Sequence, residues 1–276
     1  MRVALTGASG LVGRFLLSGL RSEGHEVFTL GRRGADLPFD LSETPPELVN
    51  IDALIHAGFA HIPGRYRGGE GDDPEGFRRR NVDGTLALLE RARKDGVGQL
   101  IFLSSRAVYG GYPPGTLLRE DMPPRPDTLY GQVKHEIEQA LPDYAPHSAS
   151  LRATGVYGPG AGHKWEGLFA DFLNGQPIAP RVATEVHGDD LAQAALIALS
   201  QDGHHVFNVS DLMLDRRALL SEVAALTQCP HTLPAAADAS LVSAMDCTAL
   251  RALGWHPGGM ERLRRDLPAL LRSGDT

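Results

Sequence analysis

Apolar residues follow two different patterns along the chain, and the two patterns alternate. Short apolar runs predict β-strands, whereas apolar residues that recur every three or four positions predict one face of an amphipathic helix. Strands that alternate with helices are typical of an α/β fold with a doubly wound parallel sheet. The predicted strands are residues 2–6, 26–30, 51–56, 100–104, 148–154 and 205–209, and the predicted helices are residues 11–20, 77–93, 129–141, 190–199, 216–226 and 260–271.

Glycines interrupt the chain between the first predicted strand and the first predicted helix. In this position the first glycine permits a tight turn, the second lets the backbone approach a pyrophosphate, and the third lets helix and strand pack closely. The free N–H groups at the start of the helix then face the phosphates. The pattern predicts a dinucleotide site of the Rossmann type, with the loop residues Gly7, Ser9, Gly10, Leu11, Val12 and Gly13.

The end of the second predicted strand bears on the choice of cofactor. NAD-binding chains usually carry a carboxylate there for the ribose hydroxyls, but this chain has Gly31 followed by Arg32 and Arg33. An arginine can pair with a 2′-phosphate through two hydrogen bonds. The sequence therefore favours NADP, with NAD as the alternative if both arginines simply face water.

A catalytic pair is predicted on the helix that follows the strand at residues 100–104. Tyr130 and Lys134 are four residues apart and share one face of that helix. An ammonium beside a phenol favours the phenolate, which suits an acid/base that moves a hydroxyl proton while hydride moves at carbon. Ser105 follows the strand end, where side chains of a parallel sheet point into the ligand crevice. Its hydroxyl could hold the reacting oxygen.

The chain resembles the extended short-chain dehydrogenase/reductase superfamily, in its NAD-dependent epimerase/dehydratase family. The resemblance implies that Ser105, Tyr130 and Lys134 are catalytic and that Lys134 also binds the nicotinamide ribose. It also implies a homodimer formed through helices 81–93 and 130–141. Besides the motifs above, it rests on Asp40 and Leu41, which would contact the adenine, on Ala57 and Gly58 at the third strand end, and on segments 81–85, 151–159, 186–192 and 253–257.

Several positions depart from the family pattern and bear on the substrate. Dehydratases resemble Thr-Asp-Glu where this chain has Ser-Arg-Ala from Ser105 onward, so dehydration is not expected. Sugar-nucleotide epimerases usually bind the diphosphate with an Asn and an Arg at the positions of Gly155 and Ala183, and Arg181 could substitute only after a loop shift. UDP- and dTDP-sugars are therefore predicted to be poor ligands.

A small substrate without a nucleotide is the preferred interpretation: a sugar, a sugar acid or a simple carbonyl compound. Its contacts are predicted to come from Arg106, His163, Lys164 and Trp165, although structural roles for these four side chains remain open. His187 is interpreted as a packed core histidine, and no metal site is predicted.

Three functions remain open at the level of sequence. The leading hypothesis is an NAD(P)-dependent dehydrogenase or reductase. The alternative enzyme is a nucleotide-sugar epimerase that retains its cofactor between turnovers. A dinucleotide-sensing regulatory protein is the alternative of another class, but such proteins often lose the tyrosine or the lysine that this chain keeps.

Composition bears on partners, compartment and domains. A net charge of −7 over 276 residues argues against nucleic acid or a membrane surface as the main partner. Two cysteines and no apolar run of transmembrane length predict a cytoplasmic protein. Residues 1–158 are predicted to form mainly the dinucleotide-binding domain, to which 184–211 return, and residues 159–183 and 212–276 a small substrate-binding lobe. Loops 64–76 and 113–127 are candidate lids or plain surface.

Overall fold

Ten strands and eight α-helices make up the fold, in a computed structural model that describes residues 1–62 and 69–272. The strands are β1 (Arg2–Thr6), β2 (Glu26–Gly31), β3 (Leu37–Pro38), β4 (Ala53–His56), β5 (Gln99–Ser105), β6 (His147–Ala153), β7 (Gly155–Tyr157), β8 (Val182–His187), β9 (His204–Val209) and β10 (Leu212–Asp215). The helices are α1 (Gly13–Ser22), α2 (Pro74–Lys94), α3 (Leu129–Ala140), α4 (Glu166–Leu173), α5 (Gly188–Leu199), α6 (Arg216–Thr227), α7 (Thr248–Ala252) and α8 (Gly259–Arg272).

Seven strands form the central sheet in the order β3-β2-β1-β4-β5-β6-β9, and every pair in it is parallel. Helices cover both faces, so the strands are apolar on both sides. Leu16 of α1 and Leu191 of α5 pack in the core on one face. Leu88 of α2 and Ile137 of α3 pack in the core on the other. This is the doubly wound Rossmann fold, and that prediction is confirmed.

A third core lies beyond the carboxyl end of the central sheet. There β7, β8 and β10 form a small sheet, in which β7 and β8 are parallel and β10 is antiparallel to β8. Apolar side chains of α4, α6 and α8 close this core. Three residues of the predicted lobe pack instead in the core that contains Leu16 and Leu191: Cys247, Leu250 and Trp255. The segment predicted as a lobe therefore contributes to this core as well as to the third core. The predicted domain boundaries stay a prediction.

The loop at 113–127 is tied to the C-terminal part of the chain. Leu118 is buried, and its N–H donates to the carbonyl of Ala244 over 2.8 Å. The N–H of Asp246 in turn donates to the carbonyl of Leu118 over 2.8 Å. The other candidate lid lies outside the described residues at 64–68, and α2 begins within its remainder. Among the helices that the structure describes, none combines the length and apolar character of a membrane span.

Candidate active site

The glycine loop between β1 and α1 is shaped by the lack of side chains. Gly7 adopts φ +72°, and a Cβ there would lie 2.8 Å from the amide nitrogen of Gly58 at the end of β4. A Cβ on Gly13 would overlap the carbonyl of Gly7 and lie 2.8 Å from Cα of Ala8. The start of α1 therefore lies directly on the turn, as a pyrophosphate-binding loop requires. The loop fits a dinucleotide.

A buried polar network holds this loop to β4 and α2. Thr6 Oγ1 accepts from the amide of Gly58 over 2.8 Å and lies 2.7 Å from His56 Nδ1. His56 Nε2 lies 2.9 Å from Thr85 Oγ1. Burial, followed by the charge of Lys134, lowers the pKa of His56 to about 3. A neutral ring that accepts from Thr6 and donates to Thr85 satisfies all three groups.

A cleft of about 650 Å³ opens beside the glycine loop. It is the size of a cofactor site. Of the residues predicted to bind the cofactor, it is lined by Gly7, Ser9, Arg32, Arg33, Asp40, Leu41 and Gly58. It is also lined by Thr6, His56, Phe59 and Arg80, which were not predicted as cofactor contacts. Gly10 and Gly13 shape the loop itself, and Tyr130 and Lys134 lie beyond Phe59.

Positive charge gathers at the end of the cleft next to β2. Arg32 and Arg33 directly follow that strand, and Arg80 of α2 lines the same cleft. The carboxylate of Asp40 faces them, with Arg32 Nε 3.8 Å away. Hydrogen bonds from Ser42, supplemented by the charges of Arg32 and Arg80, lower the pKa of Asp40. The charges of Arg32 and Arg80 thus act on this carboxylate, and Arg80 also pairs with Asp73 over 3.4 Å.

The predicted catalytic residues lie on β5 and on α3, which packs against the end of that strand. Lys134 Nζ donates to the carbonyl of Leu103 over 2.7 Å. The ring of Tyr130 packs edge-on against Phe59, with centroids 5.1 Å apart. Ser105 begins a 3-10 turn, and its hydroxyl accepts from the amide of Ala107 over 3.2 Å. Side chains of α3 and β5 therefore reach the same end of the central sheet.

Glycine makes this close approach possible. A Cβ on Gly131, the residue after Tyr130, would lie 2.5 Å from the carbonyl oxygen of Ala107. The first turn of α3 therefore lies directly on the turn that follows Ser105. Tyr130 belongs to that first turn, so its backbone lies close to the turn that follows Ser105.

Lys134 is buried among aromatic rings. Its side chain is 2% exposed, and Nζ lies 4.2 Å from the ring centroid of Phe59 and 4.7 Å from that of Phe102. Burial lowers the pKa of Lys134 from 10.5 to about 7, while the charge of Glu138 acts in the opposite direction. The rings and the Leu103 carbonyl favour the ammonium form, so the lysine is poised between its two protonation states near neutral pH.

We expect Lys134→Met to stabilise the cofactor-free protein. Below pH 7 the lysine is protonated in both folded and unfolded chains, and the folded chain carries the full cost of burial. That cost falls as pH rises from about 7 and disappears near 10.5. The lowering of the pKa from 10.5 to about 7 corresponds to a burial cost of roughly 5 kcal/mol as an upper bound. Loss of the contacts with the rings and with the Leu103 carbonyl offsets part of this gain. We therefore expect the free energy of unfolding of Lys134→Met to exceed that of the parent by about 2 kcal/mol at pH 6.

Urea unfolding of both proteins from pH 6 to pH 10 measures this difference. Lys94→Met is the control, because Lys94 has a side chain that is 65% exposed and its removal should change stability little at any pH. A Lys134 variant that is less stable than the parent at pH 6 would show that the buried ammonium is a net stabilising group.

The four residues predicted to contact the substrate have different surroundings in the structure. Trp165 stacks on Tyr157 with ring centroids 4.7 Å apart, inside the third core. His163 is 3% exposed and accepts from the amide of Trp165 through Nδ1. Arg106 donates to the carbonyl of Ser243 over 3.0 Å. These contacts favour structural roles, and a substrate role for any of the three stays a prediction.

Lys164 lies elsewhere, in an ion pair with Glu185 of β8. Both groups occupy the space that Gly155 leaves free, since a Cβ there would lie 2.5 Å from Glu185 Oε2 and closer still to Lys164 Nζ. Burial raises the pKa of Glu185, and the charges of Lys164 and Arg181 act against that rise. Nothing in the sequence pattern around Glu185 indicated this role.

Fold and site together define a dinucleotide-dependent enzyme. Residues 3–210 match the model of the NAD dependent epimerase/dehydratase family. UDP-glucose 4-epimerase from Corynebacterium glutamicum is 30% identical over 249 residues, which cover 76% of this chain and 75% of that one. The 3-diazoavenalumate denitrifying reductase of a Streptomyces species is 28% identical over 233 residues, with 76% of each chain covered.

Solved structures agree with these relatives. MoeE5 in complex with UDP-glucose and NAD superposes with a TM-score of 0.79 at 26% identity, covering 100% of this chain and 99% of the other. The UDP-glucose 4-epimerase of Thermus thermophilus in complex with NAD gives 0.75 at 25% identity, covering 100% and 99%. The chain belongs to the NAD-dependent epimerase/dehydratase family and is an NAD(P)-dependent enzyme. The family and the enzyme class predicted from the sequence are confirmed.

Proposed function

We propose that this enzyme transfers hydride between a nicotinamide cofactor and a carbon that carries a hydroxyl or carbonyl oxygen in a sugar-like substrate. The observation that carries the proposal is the packing of Tyr130 and Lys134 against the end of β5, where Ser105 lies. When bound, the nicotinamide accepts or donates the hydride.

The side chains of the site would share the work on the oxygen. Ser105 holds the reacting oxygen, and Tyr130 removes its proton in oxidation or returns it in reduction. Lys134 stabilises the phenolate through its charge and binds the ribose of the cofactor. The loop of Gly7, Gly10 and Gly13 holds the pyrophosphate.

The first candidate reaction is epimerisation of a nucleotide sugar with a retained cofactor. The similarities favour this alternative over a reductase with a freely exchanging cofactor, because UDP-glucose 4-epimerases and a UDP-glucose complex are prominent among them. Epimerisation would invert a carbinol carbon with no net oxidation or reduction, so Tyr130 would remove the hydroxyl proton and return it within one turnover. Substrate and cofactor therefore end in the oxidation states in which they began.

The second candidate is a dehydrogenase or reductase for a substrate without a nucleotide. Gly155 and Ala183 lack the side-chain donors that the family uses for a diphosphate, and the carboxylate of Glu185 lies beside Gly155. One relative of similar coverage is a reductase by name. Removing a diphosphate from water without charged donors costs several kcal/mol.

Cofactor retention separates the two candidates. The purified protein is denatured and the released dinucleotide quantified, and the native protein is then incubated with UDP-glucose or with NADPH and a panel of carbonyl compounds. Tightly bound cofactor with formation of UDP-galactose supports the epimerase. Consumption of added NADPH or NADH supports the reductase. Cofactor binding without any turnover would support the dinucleotide-sensing alternative.

We also propose that NADP(H) binds more tightly than NAD(H). The support is that Arg32, Arg33 and Arg80 line the cleft together with Asp40, while Arg80 also pairs with Asp73. The NAD in the solved complexes of relatives favours NAD instead, so the arginines carry this proposal alone.

Calorimetric titration with both cofactors measures the preference. Arg33→Met combined with Arg80→Met is expected to weaken NADP⁺ binding by about tenfold or more, with little effect on NAD⁺, because only NADP⁺ carries the 2′-phosphate. Arg79→Met is the matched control, since Arg79 is exposed and outside the cleft lining. Equal affinities in the parent protein, or tighter NAD⁺ binding, would refute the preference.

The family resemblance also leads us to propose a cytoplasmic homodimer joined through α2 and α3. Arg78 and Glu136 already form an ion pair between these two helices within one chain. Light scattering of the purified protein tests the dimer, and Arg78→Glu with Glu136→Arg reverses the charges on that face while keeping the pair.

A further inference from the structure

The pair formed by Lys164 and Glu185 differs in its access to solvent. The Glu185 side chain is 5% exposed and the Lys164 side chain 26% exposed. Lys164 is therefore the more accessible partner, and both charged groups lie against the backbone of Gly155.

Strand register places this pair close to the catalytic serine. Ser105 of β5 is opposite Ala153 of β6, and Gly155 follows two residues later along an extended chain. At about 3.3 Å per residue the step from Ala153 to Gly155 covers roughly 7 Å. Gly155 is in turn opposite Glu185 in the β7–β8 pair. The pair is therefore separated from Ser105 by two strand pairings and a two-residue step along the chain.

We propose that Lys164 and Glu185 determine substrate specificity: together they bind uncharged hydroxyl groups at the far end of the substrate and exclude a diphosphate. This inference rests on the proposed hydride transfer at Ser105 and Tyr130, and it favours the second candidate reaction over epimerisation of a nucleotide sugar. The ammonium donates hydrogen bonds and the carboxylate accepts them, so both sides of a hydroxyl can be satisfied. A diphosphate would instead bring two further negative charges to a buried carboxylate that Lys164 and Arg181 already balance.

Binding of UDP to the cofactor-saturated protein tests the exclusion. The parent is expected to show no saturable binding below about 1 mM in calorimetry. Glu185→Gln frees the ammonium, so UDP affinity should rise by about tenfold or more. Lys164→Met should bring no gain, and neither should Glu166→Gln, which removes one negative charge from the neighbouring helix α4. Micromolar UDP binding by the parent, or no gain in Glu185→Gln, overturns the proposal.

Turnover measurements test the other part of the proposal, the binding of uncharged hydroxyl groups. Unphosphorylated sugars and polyols are assayed with NAD(P)⁺ at saturation, and Lys164→Met is expected to raise KM about tenfold while changing kcat much less. A Lys164 variant that loses kcat at unchanged KM, or a parent that oxidises none of these compounds, overturns it. Cofactor binding is measured first for each variant, because its loss would count against the proposed function and not against this subsite.

Discussion

Tyr130→Phe is expected to lower turnover by about 10²–10⁴-fold, the usual loss on removing a general acid/base. The variant lacks only the phenol oxygen, which we propose moves the proton. Its ring can keep the edge-on contact with Phe59, so α3 should stay in place. Affinity for the cofactor should change by about twofold or less, since one uncharged hydrogen bond is the most that is lost.

Lys134→Ala is expected to behave differently, because we propose two roles for the lysine: it stabilises the phenolate and binds the ribose. Turnover and cofactor affinity should fall together. Single-turnover kinetics and calorimetric cofactor titration separate the two effects. A Tyr130→Phe variant that retained more than a few per cent of the parent rate would show that another group moves the proton.

Tyr144→Phe is the matched control for the tyrosine. Both tyrosines are partly buried and pack on the same core, but Tyr144 follows α3 and lies at the other end of that helix. Deleting its hydroxyl should leave turnover near that of the parent. Similar losses in both variants would indicate that rearranged packing, not proton transfer, explains the effect of Tyr130→Phe.

Six strands and six helices were predicted, whereas β3, β7, β8, β10, α4 and α7 were missed. The strand at 2–6 and the helix at 129–141 have enough apolar positions to define a period, and they match β1 and α3 almost to the residue. Strands β7 and β10 have three and four residues, too few to show alternation. The helix predicted from residue 11 begins at Gly13, because the glycine turn occupies the residues before it.

Residues of the candidate site were predicted where the sequence signal lies within one short segment, and they were missed where it does not. The glycine loop and the Tyr130–Lys134 pair each lie within one short segment, so spacing alone indicated them. Arg80 and Glu185 reach the site from α2 and β8, far along the chain from the residues they join. Only the register of the sheet brings them there.

Adjacent residues can also have unrelated roles. His163 and Trp165 are buried in the core of the lobe, whereas Lys164 between them pairs with Glu185. The sequence marked the three together as substrate contacts, since a polar and aromatic loop after a strand end is typical of a binding segment. The turn before α4 directs the side chains of His163 and Trp165 into the core and that of Lys164 toward Glu185.

Gly13→Ala is expected to disrupt the cofactor site more than any other single methyl group in the loop. The new Cβ would overlap the carbonyl oxygen of Gly7 and lie 2.6 Å from its carbonyl carbon. These are backbone atoms that no side-chain rotation can move away. We expect the free energy of unfolding to fall by about 2–3 kcal/mol. Cofactor affinity should fall by about 10–100-fold, because the helix start shifts and loses hydrogen bonds to the pyrophosphate.

Gly167→Ala is the matched control for this change, and urea unfolding with calorimetric cofactor titration measures both variants. A Cβ on Gly167 meets nothing within 4 Å, and the residue lies in the first turn of α4. Alanine there should leave cofactor binding unchanged and add up to about 1 kcal/mol of stability. If Gly13→Ala bound the cofactor as tightly as Gly167→Ala does, the pyrophosphate could not lie on the start of α1, and the cofactor would have to be placed elsewhere in the cleft.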